Sequence, residues 1–115
     1  MIEGLHRIPL QRRADERGWF VEIHRAGWFE KPMRQTNISF SRAGVIRGLH
    51  YHDRGQDDLF VCLEGTARVV VLDLESSESF TEDIGDMNPV AVYVPGRCAH
   101  GFEALTDLLF CYHVT

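Results

Sequence analysis

The sequence lacks any apolar stretch long enough to cross a membrane, and its start, MIEGLHRIPLQRR, is too polar for a signal peptide. We therefore expect a cytoplasmic protein with no membrane partner. A basic face is also absent, because the formal net charge is -5 and the arginines are scattered along the chain. Nucleic acid is not an expected partner, whereas two or three local arginines suffice for one small ligand such as a diphosphate.

Cysteine is scarce, and helical periodicity is hard to find. The three cysteines each stand among apolar neighbours, which predicts buried reduced thiols and no disulfide framework. The stretch from Trp28 to Ser39 fits a 3.6-residue period poorly and contains Pro32, which interrupts helices. Helices are therefore not expected to build the fold.

Short strands rich in branched and aromatic residues are abundant instead. At 115 residues the chain is expected to form one domain, residues 1–115, with an all-β barrel or double-sheet jelly roll. Gly65 predicts a hairpin turn, and Glu75 to Asn88 forms the one long polar connection. The pattern stops in mid-strand at Thr115, which leaves open a truncation at the carboxyl end. The predicted strands are Gly18–Ile23, Arg34–Phe40, Val45–His50, Asp58–Leu63, Ala67–Leu74, Val90–Val94 and Leu108–Val114.

Two histidines, His50 and His52, are separated by a single residue at the end of a predicted strand. Residues two apart in an extended strand point to the same side, so both imidazoles are expected to share a face. A third histidine, His100, follows a predicted turn at Pro95-Gly96. Such a set suits either metal binding or proton transfer to and from a bound small molecule.

The same residues resemble the two sequence motifs of cupins. Gly44, His50-Tyr51-His52, Asp58 and Gly65 are similar to the first motif, with an aspartate where its glutamate usually stands. Residues 95–100 are similar to the second motif, although the glycine comes one place early. Metal-binding cupins would use the set that corresponds to His50, His52, Asp58 and His100, which suits iron, manganese, zinc or copper.

A longer resemblance, in the same order over nearly the whole chain, is to dTDP-4-dehydrorhamnose 3,5-epimerases. The motifs are DERGWFVE at 15–22, QTN at 35–37, GVIRGLHY at 44–51, the segment 94–102 with its AHGF end, and Tyr112. The resemblance implies a cupin-type double-stranded β-helix, or jelly roll. It also implies a homodimer that exchanges strands, and it implies no metal or other cofactor.

The resemblance further implies a substrate and two catalytic residues. The substrate would be a dTDP-linked 4-keto-6-deoxy sugar of dTDP-rhamnose-type deoxysugar biosynthesis, inverted at C3, at C5 or at both. His50 would remove a proton beside the C4 ketone, and Tyr112 would return one from the opposite face. A histidine titrates near neutrality and a phenol can donate at short range, so both residue types suit these roles.

Seven further residues would bind the substrate. Arg47 and His100 would lie near the sugar and its ketone, where donating groups stabilise an enolate. Five others would hold the nucleotide and diphosphate, two of them, Arg17 and Glu22, in the site of the partner subunit. These five are Arg17, Phe20, Glu22, Gln35 and Asn37.

The chain departs from this family at three places. Asp58 stands close to the position of a lysine that supports the developing oxyanion, and losing one such donor costs about 2.7 to 4 kcal/mol of transition-state stabilisation. His52 replaces a glutamine. The family's second active-site tyrosine and the aspartate that orients its base lie beyond Thr115. We hypothesise that Asp58 pairs with His52, so that a local imidazolium substitutes for the missing lysine.

Three alternatives remain open from the sequence. The segments RGLHYH at 47–52 and VCLEG at 61–65 are also similar to dTDP-4-keto-6-deoxyglucose 3,4-ketoisomerases, in which His50 and His52 would shuttle protons. A metal-binding cupin would use the four-residue set given above. A non-catalytic sugar-nucleotide binder would fit the loss of the lysine and of the tail.

Overall fold

The computed structural model describes all 115 residues, which form eleven β-strands and no helix. The chain accordingly has no helix that could serve as a membrane span. The strands are β1 His6–Pro9, β2 Arg13–Asp15, β3 Gly18–Phe20, β4 Gln35–Ser41, β5 Ile46–His50, β6 Asp58–Glu64, β7 Thr66–Asp73, β8 Ser79–Gly85, β9 Val90–Val94, β10 Cys98–Ala104 and β11 Leu108–Val114.

Nine of the strands build two antiparallel sheets that face each other. The larger sheet has the order β1-β9-β6-β11-β4, and the smaller has the order β5-β10-β7-β8. Successive strands repeatedly cross from one sheet to the other, as they do in a jelly roll. The all-β prediction is confirmed.

The space between the sheets holds the main core. Sixteen buried residues form it, among them Val69, Val71, Val92 and Phe110. A second, smaller cluster of five buried residues, which includes Leu59 and Tyr93, lies on the outer face of the larger sheet. Because β6 and β9 are covered on both faces, their sequences are nearly continuous apolar runs without clear alternation.

The structure differs from the predicted elements at four points. Gly65 makes no hairpin: β6 and β7 belong to different sheets, and the chain crosses between them at this residue with φ +84°. The connection Glu75 to Asn88 contains β8, which pairs with β7 along the sheet edge. Strand β10, rich in small residues, was not predicted. The first predicted strand, Gly18–Ile23, ends earlier, at Phe20.

All three cysteines are buried free thiols, as expected from the sequence. Burial raises the pKa of the Cys62 thiol to about 11, and the nearby Asp86 carboxylate acts in the same direction. Burial also raises the pKa values of Cys98 and Cys111. The thiols are therefore protonated, unreactive members of the core at neutral pH.

The adjacent carboxylates Asp57 and Asp58 face opposite sides of the larger sheet. Asp57 accepts hydrogen bonds from the Tyr93 hydroxyl (2.5 Å) and the Gly96 amide (2.7 Å), and Lys31 Nζ lies 3.3 Å from it. Its own backbone amide donates to Thr115 Oγ1. Asp57 thus fastens the turn from which β10 begins.

Replacing Asp57 with alanine should destabilise the fold by about 2–5 kcal/mol, because two buried donors lose their acceptor. The measurement is the free energy of unfolding in urea. Asp53→Ala, at an exposed position, is the matched control and should stay within about 0.5 kcal/mol of the parent. Equal stabilities of the two variants would contradict the assigned role of Asp57.

His113 on β11 is a buried histidine that the fold keeps neutral. Its Nδ1 lies 2.8 Å from Thr36 Oγ1, and the ring packs 5.5 Å from that of His24. Burial lowers the pKa of His113 below its usual 6.5, and a positive charge on His24 would lower it further. Protonation of His113 therefore favours the unfolded chain.

The expected consequence is a loss of stability on acidification. Well above pH 6.5 the imidazole is neutral in both the folded and the unfolded state, so its titration does not change the stability there. As the pH falls below that value, the unfolded chain binds the proton first, so stability declines. Urea unfolding at pH 7.5 and 5.5 should show a larger decline for the parent than for His113→Gln; equal declines would refute this.

Candidate active site

A cavity of about 570 Å³ opens between the two sheets. His50 lines it from the edge strand of the smaller sheet, and Tyr112 lines it from β11 of the larger sheet. Its floor is aromatic, because Phe102 stacks on Phe110 with ring centroids 4.1 Å apart and Phe60 packs edge-on against Phe110. The cavity therefore combines an apolar base with polar walls on two sides, as small-molecule sites commonly do.

Two glycines let β5 approach β10 closely. A Cβ atom at Gly101 would lie 2.5 Å from the Arg47 carbonyl oxygen, and one at Gly48 would lie 2.8 Å from the Gly101 Cα atom. Gly48 also has φ +130°, a region that favours glycine. The close approach places His50 directly across from His100 in the strand register.

Arg47 is held in place beside the cavity. Its Nε donates to Ser41 Oγ at 2.7 Å, and its Nη2 donates to the Phe40 carbonyl at 3.1 Å. Gln35 and Asn37 line the same wall and are joined by a hydrogen bond of 3.1 Å. The guanidinium thus lines the cavity without a carboxylate partner.

His52, Asp58 and His100 form a tight cluster in the cavity wall. Asp58 Oδ2 lies 3.3 Å from His100 Nε2 and 3.7 Å from His52 Nε2. The Gln56 amide nitrogen bridges His52 and Asp58, at 3.3 Å from the imidazole and 3.2 Å from Asp58 Oδ1. Asp58 therefore lies within ion-pair distance of His52, as hypothesised, but it is closer to His100, and the substitution of this pair for a lysine stays a prediction.

The structure brings together only three of the four residues expected to bind a metal in a metal-binding cupin. The potential ligand atoms of His52, Asp58 and His100 all lie within 4.8 Å of one another, and His50 is outside this group. The His50 and His100 rings are 6.3 Å apart and nearly perpendicular. Three residues of the set could hold one metal ion, while His50 remains free to contact a ligand.

Three of the predicted substrate-binding residues do not line this cavity. Arg17, Phe20 and Glu22 belong to the β2–β3 hairpin or follow it directly, and this hairpin forms a sheet of its own. The Arg17 side chain is 84% exposed and contacts Asp15 of the same hairpin. Within one chain, therefore, the site contains Gln35, Asn37, Arg47 and His100 but not these three.

Sequence reasoning missed two polar cavity residues. Gln56 lies between the histidines and Asp58 along the chain, yet no motif singles it out. Ser39 follows Asn37 by two residues and so shares its side of β4, a signal that alternation could have supplied. The Ser39 hydroxyl is buried and has no hydrogen-bond partner, and the same is true of Nδ1 of His100. Both atoms can bond to a ligand.

Comparison with known proteins gives a consistent result. The sequence matches the dTDP-4-dehydrorhamnose 3,5-epimerase family over residues 1–115. It is 37% identical over 106 residues to a probable low-salt glycan biosynthesis epimerase, Agl13, of Haloferax volcanii, covering 85% of this chain and 67% of that protein. The match therefore spans about two thirds of that relative's length.

Two solved structures have the same fold. The dTDP-4-dehydrorhamnose 3,5-epimerase of Sulfolobus tokodaii superimposes with a TM-score of 0.90 at 31% identity, over 100% of this chain and 72% of the other. A dTDP-6-deoxy-D-glucose-3,5-epimerase from Legionella pneumophila, solved with dTDP-4-keto-L-rhamnose, gives a TM-score of 0.90 at 29% identity, over 99% and 68%. The fold is thus the cupin-type jelly roll of sugar epimerases.

The class defined by fold and cavity is that of jelly-roll carbohydrate epimerases. Within that class, the chain belongs to the dTDP-4-dehydrorhamnose 3,5-epimerase family. The predicted family is confirmed, whereas the individual roles of the site residues stay predictions.

Proposed function

We propose that this chain epimerises a dTDP-linked 4-keto-6-deoxy sugar at C3, at C5 or at both, with His50 as base and Tyr112 as acid. The observation that carries the proposal is that these two side chains line one cavity from opposite sheets. Inversion at carbon requires removal of a proton from one face and its return to the other. Residues on the two walls of a cavity can serve the two faces of a sugar ring.

The reaction begins at a carbon beside the ketone. His50 takes the hydrogen, and the electron pair left on carbon moves onto the ketone oxygen to form an enolate. Tyr112 then donates its hydroxyl proton to the opposite face of the same carbon, and the carbonyl is restored. General acid and base groups of this kind each contribute about 10²- to 10⁴-fold.

The remaining polar groups of the cavity would bind and stabilise the substrate. Arg47, free of any carboxylate partner, can donate to the diphosphate or to the developing oxyanion. Gln35 and Asn37 offer amide groups for the nucleotide. The aromatic floor of Phe60, Phe102 and Phe110 excludes water beneath the sugar, which strengthens the polar interactions above it.

A ketoisomerase is the second candidate, because His52 lines the same cavity two residues after His50. Two imidazoles could move a proton between neighbouring carbons of the same substrate and transfer the ketone to C3. This alternative keeps the sugar nucleotide and changes only the product.

Incubation with dTDP-4-keto-6-deoxyglucose in deuterated water tests these reactions. Epimerisation introduces deuterium at C3, at C5 or at both. Mass spectrometry measures how much label enters, and NMR identifies the labelled carbon. His50→Ala should slow the exchange about 10²- to 10⁴-fold, because the base is lost. Tyr112→Phe should retain part of the exchange and change the stereochemistry of reprotonation. His6→Ala, whose side chain lies outside this cavity, is the control and should exchange at the parent rate.

Three other results would contradict the proposal. Parent activity in His50→Ala would place the base elsewhere. A product with its ketone at C3 would identify a ketoisomerase, and binding without exchange would identify a non-catalytic binder.

We further propose a homodimer in which the hairpin of one subunit completes the cavity of the other. Support comes from Arg17 and Phe20, which are highly exposed and do not line the cavity of their own subunit. Exposed apolar side chains on β4 and β5, including Phe40, Ile46 and Leu49, would be covered by a second copy.

Mixed dimers test this arrangement. Arg17→Ala and His50→Ala should each have low exchange activity alone. After the two are unfolded and refolded together, half of the dimers are mixed, and each contains one complete site if the hairpin serves its partner, giving about one quarter of the parent activity. If the hairpin serves its own subunit, no complete site forms and activity stays low, which would overturn the proposal.

A further inference from the structure

Asp58 is a buried carboxylate without a permanent cation. Only 4% of its side chain is exposed, and no arginine or lysine nitrogen lies within 4.0 Å of it. Its neighbours are the Gln56 amide and the imidazoles of His52 and His100. An isolated buried carboxylate is strongly unfavourable, so it needs either a proton, an imidazolium or a metal ion.

The distances in this cluster are close to those around a single ion. Metal bonds of about 2.0–2.1 Å in tetrahedral geometry place neighbouring ligand atoms about 3.3 Å apart. His100 Nε2 and Asp58 Oδ2 already have this separation, and His52 Nε2 is 3.7 Å from the same oxygen. The potential ligand atoms of all three residues lie within 4.8 Å of one another, and the His52 side chain is 32% exposed, so it can move towards the other two without disturbing the core.

We propose that His52, Asp58 and His100 bind one divalent transition-metal ion of the zinc, iron or manganese type. Two imidazoles and one carboxylate form a ligand set that leaves coordination positions open on such ions. All three residues line the cavity that also contains His50, so an ion held by them would be accessible to a ligand there. The site differs from the four-residue set considered from the sequence, because His50 is not a ligand and stays available as the base.

The proposal rests on the proposed function for its consequence. The carboxylate and the ion together would carry one positive charge, close to the position where the resemblance implies a lysine. When bound, the ion supplies Lewis-acid stabilisation of charge on the ketone oxygen. His50 would then remove the proton next to a carbonyl whose oxygen is already polarised.

Metal binding can be measured without any substrate. The full chain is stripped with a chelator, dialysed, and titrated separately with Zn²⁺ and Mn²⁺, with bound metal quantified by mass spectrometry. One ion per chain is expected for at least one of the two metals. His52→Gln and Asp58→Asn should each weaken binding at least about 100-fold, because removal of a direct ligand exceeds the effect of losing its outer support. His50→Gln is the matched control and should bind as the parent does.

The outcomes separate the metal site from the proposed reaction. Absence of stoichiometric binding, or equal binding by the parent and by folded His52→Gln, would overturn the metal site. Loss of binding in His50→Gln would also overturn it in favour of the four-residue set. The deuterium exchange is then measured on stripped and reloaded protein: binding without exchange refutes only the epimerase, whereas full exchange by the stripped protein refutes the role of the ion.

Discussion

The alternation of side chains at Asp57 and Asp58 is the constraint on which the site depends. Successive residues of a strand face opposite sides, so one carboxylate enters the cavity and the other lies on the outer face of the sheet. Asp57 anchors Tyr93 and the amide of Gly96, and so fixes the turn that leads into β10. Because His100 is in that strand, the outer carboxylate sets the position of the imidazole that the inner one faces.

The cavity is lined on one side by buried central strands and on the other by an exposed edge strand. His100 and Asp58 are buried on central strands, whereas His50 and Arg47 lie on β5 at the edge of the smaller sheet. The glycines at 48 and 101 hold that edge against β10. A catalytic base on an exposed edge strand can reach a ligand that enters from solvent, while the buried cluster behind it keeps a fixed geometry.

Much of the fold follows from the sequence because its strands carry branched and aromatic residues in short runs. Strands β6, β7, β9 and β11 were predicted within a few residues of their bounds. Strand β8 was missed because its polar sequence, SFTEDIG, lies at an exposed sheet edge, and β10 because its small residues are buried only through their neighbours. The sequence around Gly65 predicts a hairpin, although the chain crosses between sheets there, because local pattern does not reveal which sheet a strand joins.

The site was predictable in its members but not in its grouping. His50 and His52 were expected on one face, and both do line the cavity. The strand ends at His50, however, and the turn that follows brings His52 to Asp58 and His100 instead. The contribution of Gln56 depends on the same turn, and no spacing rule applied to a strand could have found it.

The central claim is that a sugar lies between the two sheets with His50 on one side and Tyr112 on the other. A crystal structure of the protein with a bound dTDP-linked 4-keto-6-deoxy sugar, or an unreactive analogue, tests it most directly. The account predicts the ring between the two side chains, with an imidazole nitrogen within about 3–3.5 Å of a carbon beside the ketone. A sugar bound outside this cavity, or with both side chains on the same face of its ring, would contradict it.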